Sequence, residues 1–241
     1  MREGLSAEKL EELRKYDTPT ICNAIEIFDV QPRNAGYMNQ SISACFPEMP
    51  PMVGYASTAT WRADAPPLDG REYGSMDRQI ESFEDIPGPP VIVFQDLDEP
   101  TAAASFGEVM CTTYKTFGAA GLVTSGAARD LDQVRTIDFP AFSNGVNPSH
   151  GYGHIVDINI PVHVGGVTIL SGDLLHGDCN GVTTIPNAIA TDLADIVAEF
   201  VAAEEIVLNH LNGDNPSVKG FGEARKEYKA VVDKLTERVR G

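Results

Sequence analysis

Residues 89–130 read "PPVIVFQDLDEPTAAASFGEVMCTTYKTFGAAGLVTSGAARD" and predict the centre of the fold. Two continuous apolar runs, "PPVIVFQDL" and "AAGLVTSGA", are typical of strands that are buried on both faces. Between them "EVMCTTYKTFG" predicts a helix that ends at Gly118, and the small-residue stretch "TAAASFG" is expected to be the loop before that helix. Strand, helix and strand in this order predict a parallel crossover unit.

Segments on both sides add further strands. "VGYASTATWRA", residues 53–63, has the β-branched and aromatic character of a strand. "IVDINIPVHVGGVTIL" alternates along two predicted strands around Gly165 and Gly166, and "DLLHGDCNGVTTIP" predicts a second hairpin around Asn180 and Gly181. The second half of the chain is therefore expected to be rich in β-structure.

Both ends of the chain predict helices. Leu5, Leu10, Leu13 and Tyr16 recur at roughly helical spacing after Ser6, a suitable N-cap. A second helix is predicted from "TPTICNAIEIF", with Thr18 as its cap; others are expected within "GSMDRQIESFEDI", after Pro186 and from Ser217 onward. We expect one mixed α/β domain over residues 1–241, with a core of about 18–210 and a C-terminal helical extension of about 217–241.

The composition narrows the range of ligands. The 241-residue chain carries a formal net charge of −17, and its Lys and Arg residues are not clustered. Nucleic-acid binding depends on clustered cations, so we expect no nucleic-acid partner. A small anionic substrate would need a local cation to reverse the field, and a divalent metal is the simplest candidate.

Cysteine spacing and hydropathy predict the compartment. The cysteines, at positions 22, 45, 111 and 179, form no CxxC pair and are expected to be reduced thiols. The charged N-terminal residues lack the apolar centre of a signal peptide, and no apolar run is long enough to span a bilayer. The sequence therefore predicts a cytoplasmic protein without a membrane partner.

An Arg-Asp pair follows the second strand of the crossover. Arg129 and Asp130 stand at its carboxyl end, where open parallel sheets bind ligands. The loop after the preceding strand enters a helix at Glu108, so the two loops are expected to meet. The backbone amides of Val109 and Met110 would then suit an anionic oxygen, and Arg129 a substrate carboxylate. A solvated ion pair and a dipole-facing Glu are the alternative, which position alone leaves open.

Two segments carry a resemblance to a known family. "GEVMCTTYKTFGAAGLVTSGAARDLDQV" is similar to the signature of the RraA-like family, which includes metal-dependent 4-hydroxy-4-methyl-2-oxoglutarate aldolases. "PVHVGGVTILSGDLLHGDCNGVTTIP" resembles the family's GG, PGD and D-x-D-G-V stretch in the same order. Ser171 replaces the proline there, and Asn180 replaces the second acid. The similarity covers roughly residues 18–210.

The resemblance implies a role for each residue of the first segment. In the family's aldolases the residue matching Asp130 ligates Mg²⁺ or Mn²⁺, and the one matching Arg129 contacts the pyruvate part of the substrate. An acid at the position of Glu108 holds a metal-bound water. The family more often has Asp there, and Glu is one methylene longer. The amides matching Val109 and Met110 bind substrate.

The resemblance also implies a fold and an assembly. The family's fold is a β/β/α swivelling domain, assembled as homotrimers or homohexamers with active sites between subunits. A glutamate from a neighbouring subunit completes the aldolase site through water, and Glu205, or next-best Glu204, lies where the resemblance places it. We expect a small 2-oxo acid as the substrate.

Three functions follow from the resemblance. The first is a divalent-metal-dependent carbon-carbon lyase that cleaves a 4-hydroxy-2-oxo acid to pyruvate, with oxaloacetate decarboxylation at the same site. The second is a non-catalytic regulator that binds an RNA-degrading enzyme; acids at both 108 and 130 count against it. The third is a menaquinone-synthesis methyltransferase, which ranks low because no glycine-rich strand-to-helix loop suits its cofactor.

Other residues are predicted to be mainly structural. His150 and His154 are four apart in "HGYGH", but the intervening glycines disfavour a helical metal pair, and a substrate-facing role is the minority alternative. His176 alternates within a predicted strand and is expected to be packed or on the surface. Trp61 is the only tryptophan and is expected to lie in the core.

Overall fold

The computed structural model describes residues 4–67 and 76–241. Its helices are α1 (Ala7–Leu13), α2 (Thr18–Glu26), α3 (Met76–Glu81), α4 (Glu108–Thr116), α5 (Leu131–Thr136), α6 (Ala190–Leu211) and α7 (Val218–Arg240). Its strands are β1 (Ser43–Ala44), β2 (Met52–Arg62), β3 (Pro90–Asp96), β4 (Ala104–Phe106), β5 (Gly121–Thr124), β6 (Ala127–Ala128), β7 (Ala141–Ser143), β8 (His154–Ile158), β9 (Val162–Val164), β10 (Val167–Ile169), β11 (Leu174–Asp178) and β12 (Gly181–Ile185).

The long strand β2 organises the main sheet. The sheet order is β1-β7-β5-β3-β2-β11-β12, and β8 also pairs with β2. On one edge β2 runs parallel to β3; on the other its first half pairs antiparallel with β11 and its second half with β8. Every residue from Met52 to Trp61 is buried, because strands flank both edges of β2 and its side chains pack into hydrophobic clusters.

The predicted crossover is confirmed. β3 and β5 are parallel neighbours, with Val91 opposite Gly121, and α4 connects them. The predicted strand "AAGLVTSGA" is shorter than expected, because β5 ends at Thr124 and Ala127 belongs to β6, in a separate sheet. The predicted loop "TAAASFG" is wrong in part, because residues Ala104–Phe106 form β4 and pair with β6. Short apolar strands gain backbone hydrogen bonds by pairing with each other, and the small-residue composition concealed this long-range pair.

The β-rich region from His154 to Ile185 contains one more strand than predicted. The predicted strand before Gly165 is interrupted after Ile158, where Asn159 has a left-handed φ of 57°. Its first part is β8, in the main sheet, and its second part is β9, which pairs with β10 around Gly165 and Gly166 as predicted. The second hairpin is also confirmed, with Asp178 opposite Gly181.

The N-terminal helices differ from the prediction at one cap. Ser6 caps α1 by accepting a hydrogen bond from the Lys9 amide at 3.3 Å, as predicted. The cap of α2 is not Thr18 but Asp17, whose Oδ1 accepts from the Thr20 amide at 2.8 Å. Thr18 is buried instead and makes contacts across the core, so tertiary packing overrides its local capping propensity.

Two groups of helices lie on separate hydrophobic clusters. α1, α2, α6 and α7 pack around a cluster that includes Val53 and Leu174. α4 and α5 cover a second cluster around Trp61 and Phe94, at the carboxyl half of β2. Within residues 4–67 and 76–241, no helix combines the length and apolarity that crossing a membrane requires. The candidate site lies beside the second cluster.

The predicted helix in residues 74–86 is present in the described part. α3 begins at Met76 and continues as a 3₁₀ turn over Ser82–Asp85. Residues 74 and 75 lie outside the described ranges. Gln79 of α3 is fully buried, and Met76, Ile80 and Phe83 pack against the second cluster, so both a buried polar residue and an apolar stripe attach this segment to the core.

Candidate active site

The two loops predicted to meet are in contact. Oδ2 of Asp130 accepts a hydrogen bond from the backbone N–H of Glu108, with an N–O distance of 3.1 Å. Glu108 is the first residue of α4, and the N-cap position before it is Gly107, which has no side chain to cap the helix. Asp130 therefore caps α4 from another loop, and its negative charge lies at the positive end of the helix dipole.

The backbone at Asp130 directs this contact. Asp130 has φ 55° and ψ 39°, in the left-handed region, between β6 and α5. Few residues with a side chain adopt this conformation, and Asp and Asn adopt it most readily. Gly107 is required on the other side, because a Cβ there would lie 2.5 Å from Oδ2 of Asp130. The left-handed turn and the missing side chain together bring the carboxylate onto the helix.

Arg129 lies between this contact and a cavity. Its Nε is 3.7 Å from Oδ2 of Asp130, and its side chain is 29% exposed. The Arg129 amide donates to the carbonyl of Phe106 at 3.2 Å, which ties the loop to β4. The ion pair of the alternative interpretation therefore exists, but at 3.7 Å it is loose, so the guanidinium keeps donors for an anionic ligand.

A cavity of about 290 Å³ opens beside Arg129. Its described lining residues come from five separate parts of the chain and are mostly apolar: Trp61, Met76, Ala104, Phe106, Gly107, Val109, Met110, Arg129 and His150. Val109 and Met110, both predicted to bind substrate, are among them. Because they occupy the first turn of α4, their amide N–H groups have no acceptor within the helix.

Sequence reasoning missed most of the cavity wall. Trp61 is buried, as predicted, but also lines the cavity. Ala104 and Phe106 share one face of β4, a signal that is available only once "TAAASFG" is recognised as a strand. His150 lies in the cavity wall, which fits the substrate-facing role that was the minority alternative for this residue. His154 instead begins β8, where its Nδ1 lies 2.8 Å from the carbonyl of Tyr152, so no helical metal pair forms.

Two further acids support the loops near the cavity. Asp98 is buried, and its Oδ2 accepts from the amides of Ala63 and Asp64 at 2.7 and 3.0 Å, which holds the end of β2. The carbonyl of Ala63 in turn accepts from the Tyr152 amide, next to the loop that carries His150. Burial raises the pKa of the neighbouring Asp96, and its Oδ1 accepts from the Asp98 amide. These acids position loops and do not line the cavity.

Comparison with known proteins identifies the family of this chain. The profile of the RraA-like family, described as Aldolase/RraA, matches residues 18–184. The chain belongs to the RraA-like family. A relative from Halalkalibacterium halodurans, provisionally named 4-hydroxy-4-methyl-2-oxoglutarate aldolase, is 38% identical over 106 residues, which are 43% of this chain and 49% of that protein. The match thus spans about half the length of that relative.

Solved structures confirm the predicted RraA-like α/β fold. An uncharacterized protein from Pseudomonas syringae pv. tomato has a TM-score of 0.72 and 21% identity, covering 94% of this chain and 96% of that chain. A Streptomyces coelicolor member of the RNase ES inhibitor RraA protein family has a TM-score of 0.67 and 22% identity, covering 85% and 98%. At these identities the likeness establishes the fold alone.

The site of this RraA-like chain offers oxygen donors to a metal. In the part of the chain that the structure describes, no three His, Cys, Asp or Glu side chains converge as a ligand group. The Asp130 carboxylate lies at the N-terminus of α4, whose first residue is Glu108, and Mg²⁺ or Mn²⁺ is often held by one or two carboxylates together with waters and substrate oxygens. The donor set therefore fits these hard cations and not a zinc-type centre.

Glu205 lies apart from this site. It is exposed on α6, which packs against α1, α2 and α7, on the other hydrophobic cluster. Glu204 is half-buried on the same helix, and burial raises its pKa. Within one chain neither residue joins Asp130. The contribution of Glu205 from a neighbouring subunit stays a prediction.

Proposed function

We propose that this chain is a divalent-metal-dependent carbon-carbon lyase that cleaves a 4-hydroxy-2-oxo acid to pyruvate. One observation carries the proposal: the Asp130 carboxylate lies on the amide of Glu108 while Arg129 lines the adjacent cavity. The Asp130 carboxylate, the Arg129 guanidinium and the N-terminus of a helix whose first residue is Glu108 thus meet beside a space of small-molecule size. The family relative's aldolase name supports the same reaction class.

Each site residue has a separate role in the proposed reaction. The guanidinium of Arg129 binds the substrate carboxylate, and the amides of Val109 and Met110 face the developing negative charge. The C3–C4 bond breaks, its electron pair forms the enolate at C2–C3, and the 4-hydroxyl group becomes a carbonyl after losing its proton. Glu108 accepts that proton, directly or through water, and protonation at C3 then yields pyruvate.

A divalent metal, when bound, supplies Lewis-acid stabilisation of the enolate charge. Asp130 is the residue proposed to hold Mg²⁺ or Mn²⁺ directly, with Glu108 acting through water. The same enolate forms when oxaloacetate loses CO₂, so oxaloacetate decarboxylation is proposed for the same residues. Homotrimeric or homohexameric assembly, with Glu205 reaching a neighbouring site, is part of the proposal.

The test is pyruvate release from 4-hydroxy-4-methyl-2-oxoglutarate and from oxaloacetate, with Mg²⁺, with Mn²⁺ and after chelation. We expect metal-dependent release that Asp130→Ala abolishes. Asp132→Ala is the matched control, because Asp132 lies two residues away on α5 and its side chain is 91% exposed. Equal loss in both variants, or release that survives chelation, would contradict the proposed roles.

The non-catalytic regulator is the outcome that the same test separates. The net charge of −17 would suit a basic protein partner. If metal-loaded protein releases no pyruvate from any 4-hydroxy-2-oxo acid offered, and Asp130→Ala leaves partner binding intact, the regulator is favoured over the lyase.

A further inference from the structure

The cavity beside Arg129 combines one cationic end with apolar walls. Trp61 and Phe106 are each 1% exposed, Met110 is 7% exposed, and all three line the cavity, so core side chains form much of its wall. They belong to β2, β4 and α4, three elements with fixed backbone hydrogen bonds. The walls are therefore built by the fold and do not depend on a single loop.

The wall formed by α3 is also anchored. Gln79 of α3 is fully buried; its Oε1 accepts from the Tyr114 hydroxyl at 2.8 Å and its Nε2 donates to the Ser57 carbonyl at 3.3 Å. Met76, one turn earlier, lines the cavity. The Trp61 ring packs against Phe94, with centroids 5.5 Å apart. Preformed walls of this kind select ligands by shape and polarity.

Charge distribution disfavours a second anionic group in this space. Among the described residues that line the cavity, Arg129 is the one Lys or Arg, and it already lies 3.7 Å from Asp130. A carboxylate placed against the rings of Trp61 and Phe106 would lose hydration without gaining a Lys or Arg partner from the described lining. An apolar group in the same place would gain from leaving water. The chain's net charge of −17 also disfavours the binding of a second anionic group.

We propose that the cavity selects 2-oxo acids whose distal end is apolar and uncharged, in preference to diacids. The proposal rests on the proposed lyase function, which places the substrate carboxylate on Arg129. The tail then points along Trp61, Phe106 and Met76, and a cavity of about 290 Å³ suits a short branched alkyl group. The substrate class is a 4-hydroxy-2-oxo acid with an alkyl group at C4, which yields pyruvate and an aliphatic aldehyde.

Binding tests the selectivity without requiring turnover. 5-Methyl-2-oxohexanoate and 2-oxoglutarate have nearly the same shape, with an isopropyl group in one where the other has a carboxylate. We expect the wild-type protein, with Mn²⁺ present, to bind the isopropyl compound at least tenfold more tightly by titration calorimetry. Equal affinity, tighter binding of 2-oxoglutarate, or no binding of either acid would overturn the proposal.

Turnover separates this proposal from the lyase function. The matched substrates are 4-hydroxy-5-methyl-2-oxohexanoate, which gives pyruvate and 2-methylpropanal, and 4-hydroxy-2-oxoglutarate, which gives pyruvate and glyoxylate. Faster cleavage of the first compound supports both proposals. Cleavage that favours the diacid keeps the lyase and overturns the selectivity. Selective binding of 5-methyl-2-oxohexanoate without any cleavage keeps the selectivity and overturns the lyase.

A positive charge added to the cavity wall tests the proposed selectivity directly. Met76→Lys introduces a cation beside the cavity and is expected to shift the ratio of the two binding constants at least fivefold toward 2-oxoglutarate. Met49→Lys is the matched control: Met49 packs against the same hydrophobic cluster but is absent from the described cavity lining, so the ratio should stay at the wild-type value. An unchanged ratio in Met76→Lys, or equal shifts in both variants, would count against the proposal.

Discussion

The carboxylate of Asp130 accepts a hydrogen bond from the backbone amide of Glu108, 22 residues earlier in the chain, at 3.1 Å. The contact joins the C-terminal ends of two parallel strands and caps α4 at a position where Gly107 cannot. One side chain thus has a structural role at a helix end and a proposed chemical role beside the cavity. The predictions below separate these roles.

Asp130→Asn should separate capping from chemistry. Asn caps helices about as well as Asp and tolerates the left-handed backbone, so the free energy of unfolding should change by less than about 0.5 kcal/mol. Without the negative charge, pyruvate release should fall on the order of 100-fold or more. Steady-state kinetics and urea unfolding measure the two effects. An active Asp130→Asn protein would show that the carboxylate serves the helix alone.

Gly107→Ala should disturb the site through one methyl group. The new Cβ would lie 2.5 Å from Oδ2 of Asp130 and 2.9 Å from Nε of Arg129, so both side chains must move. A displacement near 1 Å can cost about 100-fold in rate. Gly222→Ala, on helix α7, is the control, because a Cβ added there would have no described atom within 4 Å apart from its own helix backbone, and it should stabilise the protein by about 0.5–1 kcal/mol. Wild-type activity in Gly107→Ala would refute the steric argument.

His176 should make stability depend on pH. It is fully buried; its Nε2 lies 3.1 Å from the Leu13 carbonyl, and its Nδ1 lies 2.9 Å from the Thr18 hydroxyl. The carbonyl requires the proton on Nε2, so Nδ1 accepts from Thr18. Burial lowers the pKa of His176 below its ordinary value of 6.5, although the Leu13 contact opposes the shift.

The sign of this dependence follows from proton uptake. Below about pH 6.5 the unfolded chain binds a proton at His176 that the folded chain does not, so the free energy of unfolding should decrease as the pH falls. Above pH 6.5 this contribution should be constant. Urea unfolding from pH 5 to 8 measures it. His176→Gln should flatten the curve over this window, whereas the exposed His163→Gln should not.

Tyr114→Phe should destabilise the protein through Gln79. Removal of the hydroxyl leaves Oε1 of a fully buried Gln79 without its donor, at a cost of about 1–3 kcal/mol. Tyr16→Phe is the control, because its hydroxyl contacts Glu12 at a partly exposed position and its loss should cost less than about 1 kcal/mol. Thermal or urea unfolding compares the two variants. Equal losses of unfolding free energy in the two variants would mean that burial of the Tyr114–Gln79 hydrogen bond adds nothing to stability.

Local patterns were sufficient to predict the centre of the fold. The apolar runs around Ile92 and Leu122, with a helix between them, predicted two parallel strands because each run is long enough to act on its own. The meeting of the Arg129–Asp130 loop with Glu108 followed from the same unit, although the pair follows β6 and not the predicted strand, which ends at Thr124. Ser6 capped its helix because that interaction is complete within four residues.

Pairing between distant segments determined the features that local sequence patterns did not predict. β4 exists because Ala104 pairs with Ala127, and Thr18 lost its predicted capping role because Asp17 caps α2 while Thr18 bonds to Asp178 and His176. The cavity walls come from segments far apart in sequence, so no window of the chain contains their pattern. Burial and hydrogen bonding between distant segments contribute free energy only after the chain has closed on itself. Residue types and spacing therefore predicted the charged end of the site, and tertiary packing determined its apolar walls.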